Sequence, residues 1–176
     1  MKNLSKINIM LVSILLLVFL ANGCNKSDSK SNLKAIIPNP DKITLYDGGK
    51  TIEVKKDDKN FEKIINLTND RINAKKLSTA KDIIDDKVMD GKKKIVVAVE
   101  FIYDKEQELN VKGDGFNPIK YNKLFFELSN PLSSVKPGGV ENTAFQYGDL
   151  NHYKDSSRGP IKEPKELIDI VESFFK

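Results

Sequence analysis

An internal disulfide is excluded at the outset, because the chain has one cysteine, Cys24, and a lone thiol has no partner. Histidine is equally scarce. His152 stands alone, so no His/Cys set with metal-ligand spacing exists. Of the 29 basic residues only Arg71 and Arg158 are arginines. Phosphate and base recognition favour the planar guanidinium fork, so a lysine-rich surface balanced by 25 acids argues against a nucleic-acid partner. No Gly-x-Ser-x-Gly elbow is present, and the glycines of Lys112–Phe116 and Lys136–Asn142 lack phosphate-loop spacing and read as turns. The acidic pairs Asp57/Asp58 and Asp85/Asp86, with Asp90, lack the alternating ligands and distal Glu of a calcium loop. No metal and no cofactor is expected.

A membrane-spanning run is also missing. From Ile9 to Ala21 the chain is apolar apart from Ser13, and at 1.5 Å per residue this reaches about 20 Å, short of the roughly 30 Å hydrocarbon core. With Lys2 and Lys6 ahead of it and small residues behind it, the segment has the proportions of a signal peptide.

The next residues, Leu20-Ala21-Asn22-Gly23-Cys24, resemble the lipobox of bacterial lipoproteins, with Gly23 matching the small residue before the cysteine and Leu20 one place further out than usual. The resemblance covers the first 24 residues. It implies a diacylglycerol on the Cys24 sulfur, cleavage before Cys24, and an extracytoplasmic domain lipid-anchored to the cell membrane. A thiolate is the nucleophile such lipidation needs, and acyl chains burying about 0.8 kcal/mol per CH₂ hold a protein on a bilayer. Loss of Lys2 and Lys6 would leave 27 basic against 25 acidic residues, weakening any polyanion argument further. The body resembles the small lipoproteins of low-GC Gram-positive bacteria, in layout only.

The expected organisation is a signal peptide over 1–23, lipidated Cys24 and a polar tether over 24–32, and a single globular domain over 33–176. Asn25–Asn32 has no hydrophobe and would span about 15 Å as a coil. Alternating Ile43, Leu45, Ile52 and Val54 around Asp47-Gly48-Gly49 predict a hairpin. Phe61, Ile64, Ile65, Thr68 and Ile72 fall on one helical face, with Asp57 or Asp58 as a cap. Residues 77–92 are open between helical turn, loop and edge strand. Ile95–Tyr103 reads as a central strand, turned by the polar residues 104–108 toward a second strand near Gln107–Val111. Tyr121–Leu128 and Thr143–Leu150 read as further strands. Pro164, Glu166, Leu167, Ile168, Val171, Phe174 and Phe175 predict a closing helix. The fold class is α+β: an antiparallel sheet of about five to six strands with two helices packed on one face.

Two long connections, 129–142 and 151–163, are the places where function is expected, since such loops are uncommon in compact domains. Tyr147, His152, Tyr153 and Arg158 supply the aromatic-plus-arginine mixture of recognition sites. The leading expectation is a non-enzymatic binding module that meets an envelope protein or cell-wall component. The alternative is a cell-envelope hydrolase built around His152, whose loop also holds Asp155, Ser156 and Ser157. A two-lobed solute receptor needs more chain than this.

Overall fold

The structure is a computed structural model that describes residues 35–82, 84–113, 115–129, 144–154 and 156–176. The expected signal peptide, Cys24, the tether, Asp155 and most of the 129–142 connection lie outside the described residues.

Among the described residues seven antiparallel strands form one sheet. In chain order they are β1 (Lys42–Asp47), β2 (Lys50–Val54), β3 (Ser78–Thr79), β4 (Val97–Leu109), β5 (Ile119–Ser129), β6 (Phe145–Gly148) and β7 (Arg158–Gly159). They are arranged β2-β1-β4-β5-β6-β7-β3. Among the described residues three helices accompany them: α1 (Phe61–Asp70), α2 (Asp86–Lys93) and α3 (Glu166–Ser173). The expected α+β class holds. The sheet is longer than expected because β3 and β7 add two-residue pairings at one edge.

Local chemistry explains the elements. Gly48 and Gly49 both have positive φ, 54° and 86°, the two-residue turn that matches the twist of a hairpin. Asp58 accepts from the Asn60 N–H just ahead of α1, while Asn60 itself occupies the cap position. Polar residues 104–108 do not turn the chain. β4 runs through them to Leu109, with a register shift between Ile102 and Gln107, and its far end pairs with Ile119–Tyr121. The Asp104 N–H is satisfied by Asp41 Oδ2 at 2.9 Å, so this wet part of the strand loses nothing by being polar.

Alternation splits the sheet into two faces. On the first face Ile43, Leu45, Val99, Phe101, Leu124, Phe126 and Phe145 meet Phe61, Ile64 and Ile65 of α1 and Leu167 and Val171 of α3. Phe101–Phe126 and Phe126–Phe145 ring pairs, at 5.6 and 5.4 Å between centroids, tie the central strands together. The entering chain is seated here as well, Asn69 Oδ1 accepting from the N–H groups of Ile36 and Ile37 at 3.0 Å.

On the second face a smaller cluster, Tyr46, Ala98, Phe125 and Tyr153, is covered by Ile84, Met89 and Val96. That cover includes α2, which settles the open stretch 77–92 in part as a helix. Asp85 caps it, accepting from Val88 N at 2.7 Å, and Lys92 and Lys93 suit its C-terminal dipole. Met89 is its one buried residue, so α2 is fastened mainly by polar side chains.

Candidate functional site

Glu100 sits in the middle of β4, between Val99 and Phe101, and strand alternation turns it onto the second face beneath α2. It is 4% exposed. A carboxylate so placed needs every lone pair answered. The Tyr46 hydroxyl donates to Oε2 at 2.5 Å and the Tyr153 hydroxyl donates to Oε1. Lys93 Nζ, reaching down from the end of α2, lies 3.1 Å from each oxygen.

The same ammonium is walled by rings. Its distances to the ring centroids are 5.1 Å for Tyr46, 5.1 Å for Tyr153 and 5.8 Å for Phe125, all within cation–π range. Phe125 meets both tyrosines at tilted or edge-on angles, so the three rings brace one another. Beside this box Lys123 Nζ stands 4.2 Å from the centroid of Tyr153, and Lys92 pairs with buried Glu127 at 2.7 Å.

Tyr153 reaches the box through a tight return of the chain. Asp149 Oδ1 accepts from the N–H groups of Asn151 and His152 at 2.9 and 2.7 Å, folding residues 149–152 back so that Gly148 bridges Tyr153. A Cβ on Gly148 would lie 2.2 Å from the His152 carbonyl oxygen and 2.9 Å from Tyr153 Cα, so only glycine admits this approach. Asp86 of α2 completes the clasp, its Oδ1 accepting from Tyr153 N at 2.8 Å and its Oδ2 lying 2.7 Å from His152 Nδ1.

Burial, then the charge of Glu100, pushes the Tyr46 and Tyr153 hydroxyls far above the usual tyrosine range. Burial lowers the Lys123 amine. The Tyr153 backbone N–H, then His152, holds Asp86 below the usual carboxylate range. The arrangement is a buried carboxylate floor with aromatic walls and the chain's own Lys93 ammonium seated between them.

The four residues expected in one contact surface are divided between the two faces. Arg158 is buried on β7, its guanidinium 4.8 Å from the Tyr147 ring and 5.6 Å from that of Phe116 on the main-core side. Its Nη1 donates to the Ser156 carbonyl at 2.5 Å. Tyr147 and Arg158 thus act together inside the fold. Tyr153 is buried on the opposite face in the ammonium box, and His152 is exposed above Asp86. Ser157, near His152 in sequence, gives its hydroxyl to Asp82 at 2.6 Å, and among the described residues no hydroxyl is hydrogen-bonded to His152.

Sequence reading passed over Glu100, Lys93, Tyr46 and Lys123. The available signal was a single acid inside the apolar run from Val96 to Tyr103, and Lys123 and Glu127 set among the apolar residues of β5. A charge in the middle of a buried strand demands a partner.

Among the described residues no group of three His, Cys, Asp or Glu side chains could hold a metal ion, and no helix is long and apolar enough to cross a membrane. No protein-family model, curated protein or solved structure matches the chain.

Proposed function

We propose that the chain is a lipoprotein anchored to the extracytoplasmic face of the cell membrane through Cys24, and that its folded domain is a non-enzymatic binding module for an envelope protein or cell-wall component. The observation that carries the anchoring is the Leu20–Cys24 pattern directly behind a basic and apolar leader. The binding role is supported by the second face, where a buried carboxylate, three rings and several lysines gather under a lightly fastened helix. A fold seeking stability alone does as well with apolar residues there. Fractionation tests the anchoring: wild type is expected in the membrane fraction and Cys24→Ala in the soluble or unprocessed pool. A Cys24→Ala protein that is processed and membrane-bound like wild type contradicts it.

The pairing of His152 with Asp86 favours one second reading, a hydrolase that uses His152 as base. A hydrolytic activity found by screening and abolished by His152→Ala would establish it. An activity unchanged by that substitution removes it.

A further inference from the structure

Lys93 occupies the box in the way a ligand would. Its ammonium lies against both oxygens of Glu100 and within 6 Å of three ring centroids, a combination of counter-ion and aromatic wall that proteins use to recognise cationic ligands. The helix that delivers it has little else holding it. Met89 is the only buried residue of α2, and among the described residues its other side-chain attachments are the Lys92–Glu127 pair and the Asp86 contacts to Tyr153 and His152. Its last turn runs on toward β4, with the Lys92 carbonyl accepting from the Ile95 and Val96 N–H groups. The walls, by contrast, belong to the sheet. Tyr46 comes from β1, Phe125 from β5 and Glu100 from β4, while Tyr153 is bridged to the end of β6. Removing α2 therefore removes the occupant and leaves most of the receptor standing.

We infer that the Tyr46–Glu100–Phe125–Tyr153 box is a binding site for a primary alkylammonium group, and that Lys93 is a built-in occupant which the ligand displaces as α2 lifts. The inference deepens the binding-module reading and rests on it. A primary amine is specified because both Glu100 oxygens face Nζ at hydrogen-bond distance, and a quaternary ammonium has no proton to give them. A ligand that must displace an intramolecular competitor binds more weakly by the fraction of time the site is open.

The test is a titration of the full chain, wild type and Lys93→Ala, with n-butylammonium chloride, read by thermal midpoint and tyrosine fluorescence against sodium chloride at equal ionic strength. Lys93→Ala is expected to gain saturable stabilisation with an affinity tenfold to a hundredfold tighter than wild type. Tetramethylammonium should do less, and Lys93→Ala/Glu100→Gln should not respond. In wild type, butylammonium should speed amide hydrogen exchange over residues 86–93 and leave β4 and β5 unchanged. Spermidine and Nα-acetyl-lysine amide, as further arms, separate a free polyamine from a protein lysine, the tighter one naming the source. The inference is overturned if Lys93→Ala responds to butylammonium no more than to sodium chloride. It is also overturned if Glu100→Gln leaves the response intact, or if wild type shows no binding at concentrations a hundredfold above the dissociation constant of the variant. Should Lys93→Ala fail to fold, Lys93→Gln replaces it under the same criteria. Fractionation of Cys24→Ala is read separately, so loss of amine binding and loss of anchoring are distinct results.

Discussion

Glu100→Gln preserves volume and leaves the strand unaltered, while removing the charge that two hydroxyls and one ammonium share. Breaking a buried ion pair from one side costs about 3–5 kcal/mol, since the surviving charge is left without compensation. Lys93 keeps 23% of its side chain in contact with solvent and can turn its ammonium outward, which places the expected loss near the lower end, about 3 kcal/mol. The glutamine carbonyl still accepts from one tyrosine, and its amide meets the other hydroxyl as a donor. For a domain of this size about 3 °C accompanies each kcal/mol, so the midpoint should fall by about 9 °C. Urea denaturation followed by circular dichroism measures the loss, and a cycle with Lys93→Met isolates the pairwise part. Coupling within the 0.5–3 kcal/mol range typical of contacting residues, near its upper half, is expected. A Glu100→Gln protein within about 1 kcal/mol of wild type, or additive single substitutions, would refute the reasoning.

Gly148→Ala forces a methyl into the His152 carbonyl and Tyr153 Cα and should cost about 2–3 kcal/mol, whereas Gly48→Ala, with open space at φ +54°, should cost only about 1–2 kcal/mol; equal losses in urea denaturation would contradict the close approach. Tyr46, Tyr103, Tyr121 and Tyr153 all have hydroxyls raised above the usual tyrosine range, in each case first by burial. Groups raised in the fold contribute stability that is complete below pH of about 10 and is lost as pH climbs beyond it. Absorbance titration should therefore show these four ionising only as circular dichroism reports unfolding, and ionisation near pH 10 with the fold intact would count against their burial. Asp86 and Asp149 are depressed, the former chiefly by the Tyr153 N–H and the latter by Lys154. Their contribution is present above about pH 4 and is lost as pH falls below it, so acid should release the 149–152 turn, a change that amide chemical shifts would follow.

Much of the fold was legible wherever one face is buried and the other wet. The β1–β2 hairpin, α1, β5 and α3 carry their periodicity plainly because each has a full apolar stripe against the main core. The element hidden from pattern reading was α2. It buries Met89 alone, so no stripe exists, and its signals were Asp85 as a cap and two lysines in the last turn. The outer half of β4 misled for a related reason. A strand held by its ladder and by Asp41 needs no apolar residues, and a polar run there looks like a turn. The ammonium box was illegible as a set, because its members come from four separate places and only register brings them together. β1 and β4 align Tyr46 with Ala98, β4 and β5 align Glu100 with Phe125, and a bridge brings Tyr153 to Gly148. Arg158 illustrates the opposite error. An arginine beside a tyrosine in a loop suggests a surface for recognition, yet the guanidinium is turned inward, where Nη1 donates to the carbonyls of Ser156 and Ser157.

The most direct measurement is the proton spectrum of the Lys93 side chain in the full wild-type chain, assigned by comparison with Lys93→Gln. Three rings facing one ammonium should move the ε-methylene protons well upfield of those of the exposed lysines, and n-butylammonium should return them to ordinary positions as the ligand takes their place. Lys93 resonances that coincide with those of exposed lysines, or that stay upfield while the amine binds elsewhere, would contradict the account of this face as a site occupied by its own lysine.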